Sequence, residues 1–162
     1  MKFLKFLKFA HLCIVFSIFQ SLTTWAPAES LCKDYLDLEE RLGCGEDGYL
    51  MHYGYKNCLI FTNEDVRKKF SDVGRTFVDC CRNCLMADIH KITEKERDCE
   101  KIRVAAFKSH VTCYLQCDFC EVCRSQKLSL LGSYDWRDFF SVLAAKQIVS
   151  IVRACGLFHC FF

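Results

Sequence analysis

From Leu31 onward, apolar residues return every three or four positions, the spacing that draws a single stripe down an α-helix. Leu31, Tyr35, Leu38 and Leu42 make the first stripe, with Ser30 placed to cap its start and Gly43 to close it in the left-handed conformation. The segment that follows, CGEDGYLMHYGYKNC, has no regular period and is left unassigned. Thr62, with Asp65 three residues on, opens a second helix whose face carries Val66, Phe70, Phe77 and Cys84. Thr93 and Glu96 have capping-box spacing and introduce a third, which bears Cys99, Ile102, Ala106, Cys113 and Cys117. Ser133 and Asp135 are placed to cap the fourth, where Trp136, Phe139, Phe140, Leu143, Ile148, Ile151 and Val152 form a broad apolar face that ends at Gly156. The pattern predicts an all-α, four-helix domain.

The first 28 residues read as targeting rather than fold. Lys2, Lys5 and Lys8 precede an apolar run from Phe9 to Leu22, and Ala26-Pro27-Ala28 offers small residues where a signal peptidase cuts. The run is shorter than the roughly 20 residues a membrane-spanning helix needs, and polar Thr23 and Thr24 follow it. The expected organisation is a signal peptide over 1–28 and one domain over 29–162. With those three lysines removed from the 22 Lys+Arg, 19 face 20 Asp+Glu, and no clustered basic face points to nucleic acid. The only proline is Pro27, so no proline interrupts the helices beyond it.

Cysteine then changes the picture most. Of 14 cysteines Cys13 leaves with the signal peptide, and the density that remains is typical of disulfide-built, secreted, extracellular proteins. The remaining count is odd, so one thiol has no internal partner. On the second helix Cys80 and Cys84 share a face, and Cys81 points about 100° away. Cys113 and Cys117 are likewise four apart on the third. If the two helices are antiparallel and Cys84 bonds to Cys113, the same register brings Cys80 to Cys117, with Cα atoms ~4.4–6.8 Å apart.

The run FSDVGRTFVDCCRNCL resembles the stanniocalcin motif: Phe70, Gly74 four later, the pair Phe77-Val78, and Cys84 seven beyond Phe77. The spacings after it, Cys99 to Cys113, Cys113 to Cys120 and Cys120 to Cys155, are similar to that family's series as well. The resemblance implies four disulfides, Cys32–Cys58, Cys44–Cys99, Cys84–Cys113 and Cys120–Cys155. It also implies a secreted, hormone-like regulator in a family linked with calcium and phosphate homeostasis. Cys80, Cys81, Cys117, Cys123 and Cys160 are additional to the pattern. Cys80 and Cys117 are assigned to each other by the helix register, and a folded-back tail can join Cys123 to Cys160. Cys81 then remains, and it and Cys160 are the candidates for an interchain bridge in a disulfide-linked homodimer.

Other chemistries are weighed against this. VDCCRNCL resembles the active-site helix of secreted phospholipases A2, but the positions of the catalytic His and its following Asp hold Cys84 and Leu85, so the general base is missing. His90 and His110 read as surface or half-buried helix residues. Cys117, Cys120 and Cys123 have a metal-binding spacing, yet behind a signal peptide oxidation is the expected fate of such thiols. The acidic run from Asp34 to Glu40 reads as the solvated face of the first helix. The sequence therefore predicts no enzyme, no catalytic residue, no cofactor and no metal. It predicts a regulator that acts by contact with an extracellular protein or receptor. The alternatives are a secreted effector or protease inhibitor on the same scaffold, or a degenerate phospholipase-like protein.

Overall fold

The structure is a computed structural model that describes residues 28–135, 137, 141–156 and 158–160. The expected signal peptide lies outside them except for Ala28, and so do Trp136, Phe139 and Phe140 of the expected fourth helix. Helix α1 spans Ala28–Leu42, a π-helical segment spans Tyr49–Tyr55, and α2 continues directly from it over Lys56–Thr62. A single turn, α3, covers Glu64–Arg67. The two longest helices follow, α4 over Asp72–Lys95 and α5 over Cys99–Gln116, then the short α6 (Phe119–Ser125) and α7 (Lys127–Leu131), and last α8, Val142–Cys155. The fold is all-α and disulfide-rich, with no strand among the described residues.

The four long helices fall where the apolar stripes are, and Gly43 and Gly156 end the first and the last of them as expected, but every expected N-terminal cap differs. Gly43 closes α1 at φ +67°, with its N–H donating to the Glu39 carbonyl at 2.7 Å. Ser30 is already inside α1, which begins at Ala28. Thr62 ends α2 instead of opening a helix, because its hydroxyl turns back to donate to the Cys58 carbonyl at 2.7 Å. Asn63 caps α3 through Oδ1, and Ser71 caps α4 by accepting from the Gly74 N–H. Thr93 makes the same kind of back-bond, to Ile89, within α4, so Asp98 takes over as the cap of α5 and accepts from Lys101 N–H at 2.9 Å. Ser141 caps α8, while Ser133 bonds back to Ser129 and Asp135 pairs with Lys56. A hydroxyl three or four residues past a free helical carbonyl has a local partner there, and in these cases it takes that partner rather than a cap.

The stretch without a regular period, 44–58, is largely helical. Its wide π turn lets Gly54 reach the ring of Tyr35 on α1, where an added Cβ would lie 2.5 Å from Cε1. Two hydrophobic clusters sit along the α4–α5 pair. The first joins Cys32, Tyr35 and Leu38 of α1 with Tyr49, Leu50, Ile89, Ile102, Ala106, Phe107 and Ala144. The second, nearer the start of α4, joins Phe70, Phe77, Val78, Cys81, Tyr114, Cys117, Val122, Leu130 and Ile151.

Candidate functional site

The covalent framework is built around α4 and α5. Cys84 bonds to Cys113 and Cys80 to Cys117, with Cα separations of 5.6 and 5.7 Å. Stepping back one turn on α4 and forward one turn on α5 leads from one bond to the other, so the helices are antiparallel in the expected register. Cys32–Cys58 ties α1 to α2, and Cys44–Cys99 ties the start of the π segment's loop to the start of α5. Cys120–Cys155 fastens α6 to the end of α8, and Cys123–Cys160 folds the tail back onto α6.

Both expected interchain cysteines are corrected by this arrangement. Cys160 is bonded within the chain to Cys123. Cys81 is the one unbonded cysteine among the described residues, and it is buried rather than solvent-facing, at 6% exposure. The reason is that the face 100° from Cys80 and Cys84 is not free. It packs in the second cluster with Phe77, Val78 and Tyr114, and burial raises the thiol pKa far above its ordinary value. Cys81 there behaves as a small apolar side chain, not as a reactive thiolate.

Between the two clusters lies a cavity of about 70 Å³, and half of the residues that line it carry rings. Tyr35, Tyr53, Phe77, Tyr114 and Tyr134 contribute rings, and Val78 and Cys81 contribute small apolar surfaces. One wall is His110, which is fully buried at 2% exposure, against the expectation of a surface or half-buried position. Its Nδ1–H donates to Gln147 Oε1 at 3.1 Å, and its Nε2 accepts from the Tyr49 hydroxyl at 3.0 Å. Both ring nitrogens are thus satisfied by neutral groups. Burial lowers the His110 pKa to about 4, partly offset by the hydrogen bond to Gln147, so the ring is neutral at physiological pH. His110, Tyr114 and Phe119 stack in a column, at interplanar angles of 8° and 14°. The Tyr114 and Tyr134 hydroxyls bond to each other at 2.6 Å, and burial holds Tyr114 in its neutral form.

The sequence held a sign of this buried histidine. The stripe Ile102, Ala106, Cys113, Cys117 skips one helical step, and the missing step is residue 110. His90 is half-exposed, as expected, and pairs with Asp34 of α1 at 2.9 Å. The C-x-x-C-x-x-C run is oxidised throughout, with Cys117, Cys120 and Cys123 each in a different disulfide, so it offers no thiolate to a metal. The Sγ atoms of Cys84 and Cys113 come within 4.8 Å of an Asp88 carboxylate oxygen, but they too are disulfide sulfurs. Cys84, at the position that the phospholipase resemblance gives to the base, is spent in that same bond. No family model, curated protein or solved structure matches the chain. No helix of the described residues is long and apolar enough to cross a membrane.

Proposed function

We propose that this protein is a secreted, stanniocalcin-like regulator that acts by contact with an extracellular protein, with calcium or phosphate homeostasis as the process to examine first. The observation that carries the reading is the cross-link pattern. The four disulfides implied by the stanniocalcin resemblance are formed in full, and two more close the remaining pairs. Twelve oxidised cysteines fit an oxidising, extracellular compartment. A chain stapled this densely keeps a fixed surface outside the cell, where chaperones do not repair it, and a fixed surface binds with little ordering cost.

The contact surface in this reading includes Leu128, Leu131 and Phe158, which are 82, 66 and 70% exposed. Phe158 lies two residues before Cys160, and Leu128 and Leu131 lie on the short helix that follows the one carrying Cys123, so the tail disulfide anchors the segments beside them. The test is binding of the purified, oxidised protein to intact cells. Saturable binding that is lost after the cells are treated with protease, and weakened in L128D/L131D, is the expected result. Capture of a secreted protease in place of a surface receptor would select the inhibitor reading, and hydrolysis of phospholipid vesicles would overturn the contact reading altogether.

A further inference from the structure

We infer that the cavity between the two hydrophobic clusters is a binding site for a neutral molecule with a single aromatic ring. This goes beyond the contact function and does not depend on it, since the exposed residues of that reading are not in the cavity wall. A volume of about 70 Å³ is far below the ~300–1,000 Å³ of pockets that take drug-sized ligands, and about half of the ~150 Å³ apolar cavity that encloses benzene. The cavity is not sealed, however: Phe61, Arg82 and Leu85 line it and are only partly buried. One ring therefore enters with its inner edge in the closed part and its outer edge against Phe61 and Leu85.

The chemistry of the walls selects the ligand. Tyr35, Tyr53, Phe77 and Tyr114 offer ring faces and edges for edge-to-face and offset contact. Polar groups on the wall are held by neutral partners: Tyr49 bonds to His110, His110 to Gln147 behind it, Tyr114 to Tyr134, Thr62 to the Cys58 carbonyl, and the Asn57 amide to the Tyr53 carbonyl. A charged ligand would have to leave water without finding an opposite charge. His110 is neutral, and the one cationic lining residue, Arg82, already has the Asp79 carboxylate at 3.4 Å and the Asn83 side chain at 3.3 Å. A neutral ring loses little on leaving water and gains dispersion contact with the aromatic walls.

The test is a titration of the oxidised full chain with benzene, followed by the methyl resonances of Val78 and Leu85, with benzoate as the charged counterpart. The inference expects saturable shifts confined to methyls that border the cavity, at least tenfold weaker binding in Val78→Phe, and benzoate binding at least tenfold weaker than benzene. Cys81→Met fills the same space from α4 and reads the result if Val78→Phe does not fold. Absence of saturation up to the solubility of benzene, benzene affinity unchanged in the folded filling variants, or benzoate affinity equal to that of benzene would each overturn it.

Discussion

Leu50, Ile89 and Ile102, in the cluster under α1, are 0–2% exposed and interlock residues of α1, the π segment, α4 and α5. The cluster at the other end of the helix pair is assembled from shorter pieces, with α6 and α7 only 7 and 5 residues long. That end also holds the buried free thiol and carries Leu128 and Leu131 exposed on α7. Both ends are cross-linked, this one by Cys120–Cys155 and Cys123–Cys160 and the α1 end by Cys32–Cys58 and Cys44–Cys99, but the bonds here fasten short last segments while those at the α1 end close long loops around a 15-residue helix. Long amphipathic helices bury enough surface to hold each other, but a helix of one or two turns is marginal alone and depends on packing or a cross-link to stay in place. The cavity falls at the seam, where rings from both clusters meet without filling the space.

The largest effect expected is at the α1 end. Cys44–Cys99 closes a loop of 55 residues, and no other disulfide shortens it, so the chain-entropy model assigns its removal a cost of about 4 kcal/mol. Denaturant unfolding of Cys44→Ser/Cys99→Ser against the wild type measures this. A loss below that of Cys80→Ser/Cys117→Ser would show that the α1 end does not depend on its long-loop cross-link. His110 at the seam comes next. Its folded pKa of about 4 lies below the ordinary 6.5, so as pH falls through 6.5 the unfolded chain takes up the proton first. The associated stability is fully present above pH 6.5, declines between 6.5 and 4, and amounts to roughly 3 kcal/mol. The stability difference between wild type and His110→Gln, measured from pH 7.5 to 4, should follow that curve; a flat difference would remove His110 as its source.

A smaller effect is expected for Cys80→Ser/Cys117→Ser. Cys84–Cys113 one turn away already closes nearly the same loop, which leaves about ten residues for the second bond to constrain and a cost of about 2.5 kcal/mol. The smallest is Cys81→Ala, which deletes one buried sulfur beside a pre-existing cavity and should cost about 1 kcal/mol. Cys81→Ser, with a hydroxyl in the same apolar site, should cost more. On non-reducing gels neither variant should alter the mobility of the protein. A dimer band in the wild type that vanishes in Cys81→Ala would show that this face opens in solution.

Helix content and the apolar stripes were legible in the sequence because they rest on periods of three to four residues, but two helix starts were not: α4 begins at Asp72 rather than near Thr62, and α8 at Val142 rather than near Ser133. The four-residue spacing of Cys80/Cys84 and Cys113/Cys117 sets the register of α4 on α5 only for antiparallel helices with Cys84 bonded to Cys113. The stanniocalcin resemblance supplied four disulfides that spacing alone leaves open among many connectivities. The caps were not legible, because Thr62, Thr93 and Ser133 each choose between a forward cap and a backward bond by less energy than one tertiary contact supplies. The π segment was hidden for a related reason: its glycine is explained by the ring of Tyr35, which is 19 residues away in the chain and in contact only after folding.

Which surfaces are apolar, how far apart they recur and how many cysteines there are to cross-link were set by the sequence alone, since these are properties of neighbouring residues and composition. Tertiary packing alone turned Cys81 inward, placed His110 in the interior at the missing step of its stripe, and left rings from four helices and the π segment short of closing around a cavity. Each of these depends on what the opposite wall offers at a given depth, and the opposite wall is supplied by residues distant along the chain.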